Sequence, residues 1–191
     1  MKKFYLLIAS VMMAGATMAQ SPVKFGIKAG GNFANNTFTN AGFSASPSSL
    51  TSFFVGGLVT AEIADKFAFQ PEVLLSSQGY KSGEFKNNTL YLNVPLMFKY
   101  NVISGLNLQA GPQVGLLLSA KEKLNGESVD IKKNYKNLDL GANFGAEYQF
   151  PMGLFLDARY TLGLANIAKL EEGESGSVKN TVFSLGLGFR F

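Results

Sequence analysis

Acidic and basic side chains recur in this chain at alternate positions within apolar stretches, and they are the residues most able to do chemistry. Asp157 and Arg159 are two apart, and Asp139 and Glu147 lie in the stretch just before them. Carboxylates held on neighbouring strands are the raw material of a general acid and base. The chain has no histidine and no cysteine, which removes Ser/His/Asp and Cys/His nucleophiles and the usual nitrogen and sulfur metal ligands. Lys28-Ala29-Gly30-Gly31 is glycine-rich but lacks the GxxxxGK[ST] spacing that cradles phosphate. No cofactor, no metal and no catalysis are therefore expected. Ten charged residues share one placement, opposite a face of Leu, Phe and Tyr: Lys24, Lys28, Glu62, Glu72, Lys99, Asp139, Glu147, Asp157, Arg159 and Arg190. They are balanced in sign. The simplest chemistry for such a set is mutual ion pairing in an enclosed space, where an unpaired ion costs several kcal/mol at order of magnitude.

The elements that carry these residues alternate with period two, which places successive side chains on opposite faces of a strand. The pattern is cleanest over 138–150. There Leu138, Leu140, Ala142, Phe144, Ala146, Tyr148 and Phe150 oppose Asp139, Gly141, Asn143, Gly145, Glu147 and Gln149. It recurs at 154–164 and in the terminal stretch 180–191, where Thr181, Phe183, Leu185, Leu187, Phe189 and Phe191 share one face and Arg190 sits on the other. Further strands are expected over 23–33, 52–62, 67–80, 89–100 and 106–119, giving eight in all. The stretch 52–62 is ambiguous, being apolar on both faces around Gly56-Gly57. Long polar loops are expected near 35–50, 81–88, 120–135 and 166–179, and tight turns near 63–66, 101–105 and 150–153. All long loops then leave one end of an up-and-down meander and all tight turns the other, as in an outer-membrane barrel. The strands are also longer than the five or six residues usual in soluble proteins.

Lys2 and Lys3, the apolar run 4–16 and the small side chains of Thr17 and Ala19 read as a signal peptide over 1–19 with cleavage before Gln20. The run is shorter than the ~20 apolar residues of a spanning helix, and no later stretch is apolar enough to be one. Residues 20–191 are expected to form one domain. Without Lys2 and Lys3 the formal charge falls from +4 to about +2, and no basic stripe interleaved with aromatics appears, so no nucleic-acid partner is expected. The expected fold is all-β: an eight-stranded antiparallel up-and-down transmembrane β-barrel. Its charges face inward and its apolar faces meet lipid, the reverse of a soluble barrel. An eight-stranded barrel has an interior that side chains can fill, so the ten charges are expected to plug it. The inner-face glycines 26, 30, 111, 115, 141, 145, 163, 186 and 188 are expected to make room for Lys and Arg and to let a small barrel curve. Tryptophan is absent, so interfacial girdles are expected from Tyr100, Tyr148, Phe150, Tyr160, Phe189 and Phe191.

Several short motifs support a family resemblance. Phe25-Gly26-Ile27-Lys28-Ala29-Gly30-Gly31-Asn32, Phe69-Gln70-Pro71-Glu72-Val73-Leu74, Leu92-Asn93-Val94-Pro95-Leu96-Met97-Phe98-Lys99-Tyr100 and Gly111-Pro112 together resemble the PorT-type outer-membrane β-barrel domain across most of the chain. The resemblance implies an eight-stranded barrel in the outer membrane of a Gram-negative cell, in a family whose named member is associated with protein secretion. It carries over no catalytic or binding residue. By resemblance to outer-membrane barrels generally, the terminal aromatic Phe191 is the signal read by the barrel-assembly machinery. The expected surroundings are outer-membrane lipid, with lipopolysaccharide phosphates near the mixed-charge stretch 121–136 and an unidentified protein partner at the long loops. A small-solute pore and a secretion accessory are the alternative roles.

Overall fold

The computed structural model describes residues 23–40, 43–45, 47–124, 127–169 and 176–191. The signal peptide expected over 1–19 and the start at Gln20 lie outside them, as does the Glu171-Glu172-Gly173 stretch. Eight long strands form a ring: β1 (Val23–Asn40), β3 (Ser48–Ala64), β4 (Phe67–Ser82), β5 (Phe85–Ile103), β6 (Leu106–Leu124), β8 (Leu138–Gln149), β9 (Leu154–Gly163) and β10 (Ser177–Arg190). Two short strands, β2 (Phe43–Ala45) and β7 (Glu127–Asp130), pair with β1 and β6 at one end. Every neighbouring pair is antiparallel, and β10 returns to β1 in an unbroken register from Gly26↔Arg190 to Thr39↔Ser177. This pairing leaves the sheet without an edge, which a strand array must achieve where water cannot satisfy free N–H and C=O groups.

The ring is inside-out relative to a soluble protein. Phe25, Ile27, Phe53, Val73, Phe98, Leu108, Phe144 and Leu187 are exposed, whereas Lys28, Glu72, Gln70, Asn143 and Glu147 are buried. Two aromatic belts mark the outward face. Near the end holding both termini, Phe67 packs on Tyr100 with ring centroids 5.0 Å apart, Tyr148 on Phe150 at 5.0 Å and Phe189 on Phe191 at 5.5 Å. Farther along, Phe144, Tyr160, Phe183 and Phe33 stand side by side in register across β8, β9, β10 and β1. Tyr160 therefore belongs to the second belt, with Phe183, and not to the one at the termini.

The end opposite the termini differs from the expected row of long loops. The stretch 81–88 is a continuation of β4 and β5, laddered from Gly79↔Asn88 to Ser82↔Phe85 and closed by Gly83 in the left-handed region at φ +58°. β1 runs on to Asn40 and β6 to Leu124, which then pairs with β7. Polar composition in these stretches marks a strand that has left the membrane, not an irregular backbone. Short turns connect the strands at the other end, around Asp65-Lys66, Ser104-Gly105 and Pro151–Gly153.

The interior glycines serve a different purpose from the one expected. A Cβ on Gly186 would meet the Phe54 ring at 2.6 Å, and one on Gly188 would meet Phe155 at 2.1 Å. At Gly30 it would meet Leu185 O at 2.1 Å and the Phe54 ring at 2.8 Å. Gly26 borders an arginine side chain, with Arg190 Cγ at 3.2 Å, and Gly145 borders the Arg159 backbone, with Cα at 3.1 Å. These glycines let two inward aromatic rings and adjacent strands approach. Gly31, one residue on, faces outward and would place a Cβ in ordinary contact at 3.8 Å from Ser52 O. Gly30→Ala should therefore cost about 1–3 kcal/mol through overpacking, whereas Gly31→Ala should be close to neutral. Urea unfolding of each variant in lipid vesicles, followed by the heat-modifiable gel shift, checks the contrast between the two neighbours.

Candidate functional site in the barrel interior

Strand alternation alone puts the candidate residues inside; register decides which of them meet. Lys28 on β1, Glu72 on β4 and Asp157 and Arg159 on β9 converge. Lys28 Nζ lies 2.9 Å from Glu72 Oε2 and 3.3 Å from Asp157 Oδ1. Arg159 holds Glu72 in a fork, Nη1 to Oε2 at 2.8 Å and Nη2 to Oε1 at 2.9 Å, a geometry that only the planar guanidinium offers. Gln109 donates to the second oxygen of Asp157. Nearer the termini, Glu147 accepts from Lys99 and, at 2.6 Å, from Arg190 Nη2.

Gln70 joins the two groups and is fully buried. Its Oε1 accepts from Arg190 Nη2 at 2.7 Å, Lys99 Nζ at 3.2 Å and Thr60 Oγ1 at 2.8 Å, while its Nε2 donates to Glu72 Oε1 at 2.8 Å. Two aromatics complete the lining. Arg190 Cζ stands 4.4 Å above the Phe155 ring and Lys28 Nζ 5.6 Å from the Phe54 centroid, both within cation–π range. The result is one continuous network of four cations and three carboxylates with amide bridges.

Three of the ten candidates lie elsewhere. Lys24 and Glu62 pair at 2.9 Å, but both side chains are about half exposed at the rim, so they are not interior residues; their strands alternate correctly but end too soon for enclosure. Asp139 is buried and meets no cation. Asn180 Nδ2 donates to its Oδ2 at 2.7 Å, and its Oδ1 has no protein partner. It lies one tier farther from the termini, with Asn36, whose Nδ2 donates to Asn180 Oδ1 at 3.1 Å. Between these tiers an uncharged layer includes Asn32, Ser76, Ser184, Asn143 and Thr161, cross-linked by short hydrogen bonds such as Thr161 Oγ1 to Asn143 Oδ1 at 2.6 Å. The cavity there is about 20 Å³, room for roughly one water.

Sequence reasoning missed the stopper above it. Tyr91, Leu117, Ala120, Ile131, Tyr135 and Ile167 form a buried apolar cluster at the end opposite the termini. The segments 131–137 and 164–169 fold across the mouth and hold each other, Lys136 N to Ile167 O at 2.8 Å and Lys169 N to Asn134 O at 2.9 Å. Asn87 Nδ2 donates to Tyr135 Oη at 2.9 Å. Burial pushes the Tyr135 hydroxyl up to about 12, so it stays neutral. The available signal was an isolated Ile or Tyr within a charged, polar stretch. Among the described residues no cluster of acids is arranged to hold a metal.

Residues 18–169 match the model of the outer membrane protein beta-barrel domain. The chain belongs to that family. No curated protein matches it in sequence. Among solved structures, Neisserial surface protein A superposes with a TM-score of 0.57 at 17% identity, over 89% of this chain and 99% of that one. Ail, the attachment invasion locus protein of Yersinia pestis, gives 0.52 at 19% identity, covering 88% and 98%. OprG from Pseudomonas aeruginosa gives 0.50 at 13%, covering 90% and 97%. At these identities the likeness is one of fold. The family places this barrel in the cell outer membrane; in such barrels generally the short turns face the periplasm and the longer connections the outside. None of the proteins and families named in these comparisons is PorT, whose family the motifs resemble.

Glu72 is the carboxylate shared by two buried cations, so removing it leaves Lys28 and Arg159 with the single charge of Asp157 between them. Glu72→Ala should lower stability by about 3–5 kcal/mol, whereas Glu62→Ala at the exposed rim should change it by no more than about 1 kcal/mol. Equilibrium unfolding of the two variants in the same lipid vesicles measures the difference.

Proposed function

We propose that this protein is a closed, non-conducting outer-membrane barrel whose duties are structural and interactive and are carried out by its external hairpins. The observation that carries the reading is the filling of the interior. The ionic network, the hydrogen-bonded layer above it and the apolar stopper leave room for about one water in the cavity between them. A solute path would require these layers to separate. Glu72, Glu147 and Asp157 are each engaged by cations, and Asp139 is held by the Asn180 amide, which supports a role without catalysis. The alternative of a small-solute pore is disfavoured by the same filling. An accessory role in protein secretion rests on the motif resemblance alone.

The seven networked charges, Lys28, Glu72, Lys99, Glu147, Asp157, Arg159 and Arg190, act, in this reading, as the plug. Residues 1–19 act as the export signal of the 20–191 barrel, and the external partners are outer-leaflet lipid and a protein that meets the hairpins. Phe191 serves the barrel-assembly machinery: its ring is exposed beside Phe189, and its N–H donates to Phe25 O at 2.8 Å, closing the seam between last strand and first.

Reconstituted in planar bilayers, the protein should give no large, stable single-channel steps; their appearance would refute the closed-barrel reading. Deleting Phe191 should reduce the heat-modifiable, membrane-inserted fraction in cells, and unchanged insertion would remove its role as an assembly signal.

A further inference from the structure

Three lysines stand in one hydrogen-bonded row on the outside of the barrel. Lys81 on β4 is in register with Lys86 on β5, and Lys86 with Lys123 on β6. Residues paired across antiparallel strands share a face, and neighbouring strands are about 4.8 Å apart. The face is the lipid side, because Lys86 continues the outward set Leu90, Leu92 and Val94 of β5 by uninterrupted alternation.

β6 reaches this face only through an irregularity. Below it, Leu116 pairs with Leu92 on the outward side, while Leu117 pairs with Tyr91 inside. The register then slips between Leu90 and Tyr91, with Leu118 as the extra residue, and from Ser119 onward the odd positions face out. The bulge thus turns Lys121 and Lys123 outward and Ala120 into the buried stopper. Bulges commonly re-aim side chains in this way. All four lysines are exposed. Among the described residues, Lys81, Lys86 and Lys123 have no acid in register, whereas Lys121 stands opposite Asp130 of β7 without a carboxylate within 4.0 Å. Like charges directly opposite one another destabilise a sheet, and inside this same barrel Lys28, Lys99, Arg159 and Arg190 each meet a carboxylate. An unpaired outward row just beyond the apolar band therefore calls for an anion supplied by its surroundings.

We propose that Lys81, Lys86 and Lys123, with Lys121 beside them, form a docking strip for the phosphate groups of a phosphorylated glycolipid in the outer leaflet. The strip's height carries the choice of lipid over a soluble anion: on the same outward face of β5 the polar Asn88 and then Leu90 and Leu92 follow Lys86, so acyl chains and headgroup phosphates of one lipid meet apolar and cationic surface in the right order. The inference rests on the reading of the external hairpins as the interacting part of a closed barrel.

The test uses the full-length barrel in phosphatidylcholine vesicles containing labelled bis-phosphorylated lipid A or its dephosphorylated form, with lipid retained on the purified barrel as the readout. Wild type should retain the phosphorylated form preferentially. Each Lys→Gln change should weaken retention about 5-fold, and the Lys81→Gln/Lys86→Gln/Lys123→Gln variant on the order of 100-fold. The corresponding triple arginine variant should retain it, and Lys24→Gln at the periplasmic rim should match wild type. Equal retention by the triple glutamine variant, indifference to the lipid phosphates, or displacement by heparin without any lipid preference would overturn the strip. Heat-modifiability confirms that each variant is folded, and a barrel that stays electrically closed while ignoring lipid phosphates would defeat this inference alone.

Discussion

The constraint on which this structure depends is that charges taken out of water must find each other. Each buried ion costs several kcal/mol unless its partners replace the lost hydration, and the barrel wall fixes where those partners can be. Lys28 and Arg159 come from strands far apart in sequence, yet both converge on Glu72. Sharing one carboxylate between two cations, and bridging the groups through Gln70, satisfies more hydrogen-bonding capacity than isolated pairs would. Strand order and register are what bring these groups together, so the network and the closure of the ring stabilise the same arrangement.

An apolar filling could occupy the same volume, and buried ion pairs are often no more stabilising than well-packed hydrocarbon. The argument for charge lies in discrimination between faces. A one-residue slip exchanges the two faces of a strand, and a chain apolar on both would lose nothing by it. Here the slip would carry Asp157 and Arg159 into lipid. The ionic interior therefore specifies which face is which, strand by strand. The one stretch that is apolar on both faces, around Phe53 and Phe54, is specified otherwise: Phe54 fits the hollow left by Gly30 and Gly186 and lies near Lys28, whereas Phe53 is exposed to lipid.

The fold was legible because its signal is local. Alternation over 138–150 or 180–191 needs no tertiary information, and the apolar faces named from it are the exposed faces of the barrel. What could not be read was register. Nothing in the local pattern distinguishes Lys24, which ends at an open rim, from Lys28, which meets two carboxylates. Nor could Asp139 be seen to lie a tier away from every cation, since its neighbours are set by strands β5, β6 and β10. The polar hairpins were misread for a related reason: composition reports the solvent a segment meets, while hydrogen-bond pairing decides whether it is a strand. The stopper depends on two loops meeting, Tyr135 bridging to Ala168 across the mouth, and no single segment encodes that encounter.

The two sets of cations in this barrel obey opposite rules for one physical reason. Inside, water is excluded and every Lys or Arg must be matched by the chain itself, so its position is dictated by Glu72, Glu147 or Asp157. Outside, above the apolar band, solvent and the leaflet's own charges screen repulsion over about 8–10 Å at ordinary ionic strength, and lysines can stand in register without an internal partner. The bulge at Leu118 is where the chain crosses from one regime to the other. It reverses the parity of β6, giving the apolar Ala120 to the stopper and the cationic Lys121 and Lys123 to the surface. Had the alternation run on unbroken, those two lysines would have pointed into the mouth of the barrel beside Tyr91, with no buried acid placed to receive them but Asp139.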